Sequence, residues 1–129
     1  MHTKTKGDIA EAMVAARLLQ TGAAVLKPMG DNLRYDLVID RDGKFYRVQC
    51  KMGKLKAGSV HFSTCSSTAK ESYEGQIEYF GVYCPDNDES YLIPIEDCKV
   101  GRQKSLRVQE AKNGQTAGVT LAGKYKLGL

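Results

Sequence analysis

Apolar residues recur at helical spacing near the start of the chain, where Ile9, Ala12, Met13, Ala16 and Leu19 lie in an Ala-rich run between Thr5 and Gly22. The spacing predicts a helix over 5–20 with Thr5 as its N-cap and Gly22 as its stop. The period then changes. "AAVLKPM" predicts a short strand from about Ala23 to Lys27, ended by Pro28, and Gly30-Asp31-Asn32 reads as a loop. Two alternating segments, "RYDLVID" and "KFYRVQCK", flank Arg41-Asp42-Gly43 and predict a β-hairpin turning on Asp42-Gly43. Downstream, "SVHFSTC" predicts a strand and "STAKESYEG" a short helix capped by Ser66 or Ser67. "EYFGVYCP" and "ESYLIPI" predict a second hairpin around Asp86-Asn87-Asp88, and "SLRVQ" is a further strand pattern. This order predicts an α/β fold, a mixed central β-sheet flanked by helices.

With 129 residues, 42% of them apolar and 26% charged, the chain predicts one globular domain over 1–129. Such a length buries about two-thirds of the extended surface, so one core holds the fold without staples. No apolar run approaches the roughly 18–20 residues of a membrane span, and "MHTKTKGD" lacks the apolar stretch of a signal peptide. The expectation is an intracellular protein. Cys50, Cys65, Cys84 and Cys98 have no C-x-x-C spacing, and with only His2 and His61 beside them they read as reduced, buried thiols, not a zinc site.

Charge is uneven along the chain. Segment 43–58 is purely basic, 85–98 carries five acids and no base, and a basic C-terminal extension begins at about 99. That segregation fits one face for a polyanion or an ordinary solvated surface; charge alone does not choose.

The first hairpin carries the chemistry. If Arg41 faces Lys44 across the turn, Asp36 faces Gln49, with Lys51 on the diagonal about 7–8 Å away. Alternation puts Tyr35, Leu37, Ile39, Tyr46, Val48 and Cys50 on a core face and Asp36, Gln49 and Lys51 on the other. A carboxylate and an amide carbonyl are oxygen donors of the kind Mg²⁺ takes, and a neighbouring ammonium steadies developing phosphate charge. The same residues also read as an exposed hairpin face with an incidental ion pair. Glu11 is an acid beside Val14, Ala15 and Leu18. It either joins Asp36 at a metal or is an early-turn acid favoured by the helix dipole.

At these residues the chain resembles the PD-(D/E)XK nuclease superfamily: Lys6-Gly7 followed by Glu11, then Tyr35-Asp36, then Gln49-Cys50-Lys51. "KGDIAEAMVAARLLQTG", "GDNLRYDLVID", "RVQCK" and "YFGVYCPDNDESYLIPI" most resemble the branch of bacterial group I intron homing endonucleases. Archaeal Holliday-junction resolvases share the helix–hairpin layout. The resemblance covers about residues 6–95 and departs at Tyr35, where the superfamily name has Pro, and at Gln49, where it has an acid.

The resemblance implies a restriction-endonuclease-like core and a Mg²⁺- or Mn²⁺-dependent endonuclease acting on double-stranded or branched DNA. It also implies site-specific homing-type cleavage, with junction resolution and a non-catalytic DNA-binding module as alternatives. Carried onto these positions, Asp36 is the central metal ligand and Gln49 a carbonyl ligand or water-positioning group. Lys51 stabilises charge, Glu11 completes the metal environment, and Lys6 lies near a phosphate. Arg34, Lys54 and Lys56 then flank the scissile phosphate. Ser63 and Lys70 add backbone contacts, although a Ser/Thr cluster before a helix is as often capping. Arg102 and Lys104 in the basic tail follow a groove. One site per chain and two strands to cut imply a homo-oligomer, dimer or tetramer. The aromatic hairpin over 79–93 reads equally as its interface or as core.

Overall fold

The computed structural model describes residues 2–30, 32–65, 72–98, 102–108 and 121–128. Helix α1 spans Thr3–Gln20 and begins two residues earlier than Thr5, because the His2 ring accepts the Lys4 backbone N–H at 3.2 Å and serves as the cap. Its buried stripe is Ala10, Val14 and Leu18. Ile9 and Met13 are half-buried, whereas Ala12, Ala16 and Leu19 are exposed. Alanine on several sides of α1 leaves little contrast between faces, so spacing alone did not single out the buried one. At the other end, the Thr21 hydroxyl donates to the Leu18 carbonyl at 2.6 Å, and Gly22 takes φ +90, which side chains resist.

Strands β1 (Ala24–Leu26), β2 (Leu37–Arg41) and β3 (Lys44–Met52) follow. The β2–β3 turn has positive φ at both Asp42 and Gly43, the twist that suits a two-residue hairpin. Its register runs from Arg41 opposite Lys44 to Leu37 opposite Val48, as the turn chemistry predicts. A smaller hairpin, β4 (Lys54–Lys56) and β5 (Ser59–Ser63), precedes β6 (Tyr79–Cys84) and β7 (Glu89–Pro94). β8 (Gln103–Arg107) and β9 (Lys126–Leu127) complete the strands.

The main sheet is mixed, in the order β1-β2-β3-β6-β7-β9, with β3 and β6 parallel; β4-β5-β8 forms a second, antiparallel sheet. Parallel neighbours need a crossover, and the chain between β3 and β6 carries β4 and β5. Glu78 anchors its return: the Arg47 backbone N–H donates to it at 2.6 Å and the two side chains pair.

The two faces of the main sheet are covered differently. Ala10, Val14 and Leu18 of α1 pack with Leu37, Ile39, Val48 and Cys50 on one side. On the other, Val60, Phe62 and Leu106 of the small sheet pack with Phe80, Val82, Tyr91 and Ile93. α1 is the one α-helix among the described residues. The helix predicted over 67–75 falls largely on 66–71, outside the described residues, and its end is a turn closed by the Gln76 N–H on the Tyr73 carbonyl at 2.9 Å. The region after 99 is built into the fold where it is described. Leu106, Ala122 and Tyr125 are buried, and the Tyr125 hydroxyl donates to Asp97 at 2.7 Å. All four cysteines are free and buried. No helix among the described residues is long and apolar enough to cross a membrane.

Close approach of α1 to the sheet depends on Gly81, where an added Cβ would lie 2.6 Å from Val14 Cγ1 and 3.0 Å from Val48 Cγ1. Both neighbours are fully buried. Gly81→Ala is therefore expected to lower stability by about 1–3 kcal/mol through overpacking, read as a reduced urea midpoint with an unchanged slope.

Candidate active site

The β2–β3 ladder ends at Leu37 opposite Val48, and the strands part there. Continued register would set Asp36 against Gln49. Instead the Asp36 N–H donates to the Val48 carbonyl at 2.8 Å, and its Oδ2 accepts the Cys50 N–H at 2.9 Å, spanning Gln49. Alternation breaks at the same point. Leu37 packs under α1, whereas Tyr35, predicted on that core face, packs against the cluster on the opposite side of the sheet. A strand that leaves its ladder no longer obeys the two-residue period.

Asp36 is half-buried, and its carboxyl is pushed above the ordinary value, chiefly by burial and further by the negative charge of Glu11. The Cys50 N–H, Lys51 and Lys27 act in the opposite sense. Glu11 arrives from α1, beside the buried stripe, and with Asp36 lines a cavity of about 190 Å³. Lys4, Asp8, Lys27 and Tyr35 line it too. Lys27, just past β1, pairs with Glu11, which raises the lysine's affinity for its proton.

Three carboxylates, those of Asp8, Glu11 and Asp36, line one small cavity, and burial with the charge of Glu11 raises Asp36, so the site is oxygen-rich and gains from a cation. This donor set fits a hard divalent ion. Among the described residues no three His, Cys, Asp or Glu groups come close enough together to share one ion.

Lys51 approaches from the other face of β3. Its Nζ donates to the Cys65 carbonyl at 3.1 Å and meets the Tyr73 hydroxyl at 3.5 Å. Burial lowers its pKa, Arg34 adds to the lowering, and Cys65 and Asp36 oppose it. Gln49 is half-buried between the residues that hold Asp36 and does not line the cavity. The structure thus brings Glu11 and Asp36 to one space, with Lys51 within electrostatic reach of Asp36.

The candidate contact residues are spread more widely. Lys6 is exposed on α1, about 200° round the helix from Lys4, which lines the cavity in its place. Arg34 is turned inward: its guanidinium carbon stands 3.9 Å from the Tyr73 ring centre and Nη2 donates to the Ser72 carbonyl at 3.0 Å. Lys54, Lys56, His61, Ser63 and Gln103 line a separate groove of about 530 Å³ that begins at Met52, the residue after Lys51. The Ser63 hydroxyl donates to the Cys65 carbonyl at 3.1 Å. Arg102 is exposed just before β8, and Lys104 is half-buried on β8, in the small sheet that builds this groove. Lys70 lies outside the described residues.

Lys4, Asp8, Lys27 and Tyr73 were not singled out by sequence reasoning. Asp8 and Glu11 at i and i+3 mark one helix face and, with Lys4, were a readable signal. Lys27 and Tyr73 reach the site only through tertiary packing.

A comparison with curated proteins gives no match. Among solved structures, the chain is similar to that of a bacterial homing endonuclease, I-Ssp6803I, with a TM-score of 0.72 and 28% identity over 97% of this chain and 87% of that one. The sequence model of the PD-(D/E)XK endonuclease family matches residues 1–128. With a helix acid and a strand-end acid facing one cavity and a lysine two residues beyond Gln49, the chain belongs to the PD-(D/E)XK endonuclease family.

Proposed function

We propose that this endonuclease is a Mg²⁺- or Mn²⁺-dependent, homing-type enzyme that cuts double-stranded DNA at a specific site. The observation that carries the reading is the shared cavity of Asp36 and Glu11 at the fork of β2 and β3, with Lys51 acting on Asp36 across the sheet. PD-(D/E)XK nucleases use divalent metal ions. Asp36 and Glu11 would hold the ion, with the Gln49 carbonyl as a neutral oxygen donor or a water-positioning group. When bound, the ion supplies Lewis-acid stabilisation of charge on the scissile phosphate.

The chain's own residues do the rest. The Asp36 carboxylate is locked by the Cys50 N–H, so its free oxygen keeps one direction. Lys51 places a positive charge where the phosphate gains negative charge, inside a partly desolvated site that strengthens the interaction. Lys54 and Lys56 bind backbone phosphates along the adjoining groove, and Arg102 and Lys104 extend that basic surface. Two such sites, one on each protomer of a homo-oligomer, cut the two strands.

The test incubates the purified chain with plasmid and genomic duplex DNA and with a four-way junction, in Mg²⁺, Mn²⁺ or EDTA. Discrete duplex products that require the metal are expected. Junction-selective cutting would replace the homing assignment with junction resolution, and metal-independent binding without any cut would overturn the enzymatic reading.

The groove yields a prediction of its own. A Lys54→Ala/Lys56→Ala double variant is expected to bind duplex more weakly, with the salt slope of log K reduced by about 1.8, or about 0.9 per phosphate contact. A titration between 50 and 200 mM salt, a range over which about 10³–10⁵ in affinity is lost by a protein with 6–10 phosphate contacts, measures it.

A further inference from the structure

Tyr73 sits under two cations from separate parts of the chain. The Arg34 guanidinium lies over its ring at 3.9 Å, and Lys51 Nζ is 5.0 Å from the ring centre and 3.5 Å from the hydroxyl. The ring is itself wedged edge-on against Phe80, 5.6 Å centre to centre, and the residue is buried. A core role accounts for the ring, since phenylalanine would fill the same space. It does not account for a phenol oxygen placed on the ammonium of Lys51.

Lysine has a flexible four-carbon stem, and holding its head at one point requires contacts that offset the rotamer freedom lost. Here the head is half-buried, where an ammonium needs acceptors. The structure supplies the Cys65 carbonyl at 3.1 Å from one side and the Tyr73 hydroxyl from another. Arg34, bonded to the Ser72 carbonyl and stacked on the ring, clamps the Ser72–Tyr73 backbone to the loop that leads into Asp36. Tyr73 therefore ties the approach to the acid-bearing strand end to the lysine-bearing strand.

We infer that Tyr73 is the positioning residue for Lys51, its hydroxyl helping to fix the ammonium while its ring anchors Arg34. The inference rests on the nuclease reading above, in which Lys51 stabilises the phosphate.

Single-turnover cleavage, duplex affinity and melting temperature are measured for Tyr73→Phe and Tyr73→Leu in the full chain with Mg²⁺. Tyr73→Phe keeps the ring, the Phe80 contact and the Arg34 stack. It is expected to melt within a few degrees of the parent and to bind duplex within about threefold, yet to cleave about 3- to 10-fold more slowly, the loss of one weak hydrogen bond to a charged group. Tyr73→Leu removes the ring as well, and its cleavage rate falls about 30-fold or more as the lysine loses its place.

A Tyr73→Phe rate equal to the parent's would overturn the inference, as would parallel losses of rate, affinity and stability, the pattern of a merely structural residue. Should Tyr73→Leu fail to fold, Tyr73→Phe decides alone. If the parent does not cut, or cuts as fast with Asp36→Ala, the nuclease reading itself fails, an outcome separate from a parent-like Tyr73→Phe.

Discussion

Asp36→Asn is expected to abolish cleavage, with a rate loss of about 1,000-fold or more, the several kcal/mol that a charged metal ligand contributes to the transition state. The variant keeps an oxygen to accept the Cys50 N–H at the position where Asp36 now takes it at 2.9 Å, so the hairpin fork is preserved. Its stability is expected to move the other way. Burial and the charge of Glu11 hold the Asp36 carboxyl above its ordinary value, so ionising it weakens the fold. The contribution of Asp36 to stability is therefore fully present below the ordinary carboxylate value and is lost as pH rises through the raised one. In EDTA at neutral pH, Asp36→Asn should melt at least as high as the parent, and at pH values below both carboxyl pKa values that advantage should vanish. Calorimetry across this range, beside a cleavage assay, checks both halves. A variant that still cuts at the parent rate would remove Asp36 from the reaction.

Lys51→Met is expected to lower the cleavage rate about 10²–10³-fold, the magnitude seen when one charge-stabilising donor is removed from a preorganised site. Methionine retains an unbranched apolar stem of similar length, so packing near Tyr73 is kept while the ammonium is lost. Duplex binding should stay within a few-fold, because the groove lined by Lys54 and Lys56 is intact. A fall in affinity as large as the fall in rate would make Lys51 a binding group instead.

Where local chemistry dictates geometry, the sequence was readable. Asp42-Gly43 sets a two-residue turn, and from it follow the β2–β3 register and the approach of Asp36 to the Gln49-to-Lys51 stretch. The β6–β7 hairpin was legible for the same reason. What could not be read was the break at Asp36, because a strand period carries no mark of where the ladder stops. Tyr35 accordingly changes faces. The face of α1 was hidden by its alanines, and its start by a histidine cap. Lys27 comes to Glu11 from 16 residues away and Tyr73 to Lys51 from 22, and only the folded sheet brings them together.

The outermost strands of the main sheet are β1, with three residues, and β9, with two. Each offers too few free main-chain groups to template a neighbouring molecule. Rim-to-rim stacking through these two edges of the main sheet is therefore disfavoured, and self-assembly there has to be specified by side chains, which can select a closed symmetry in place of an open polymer.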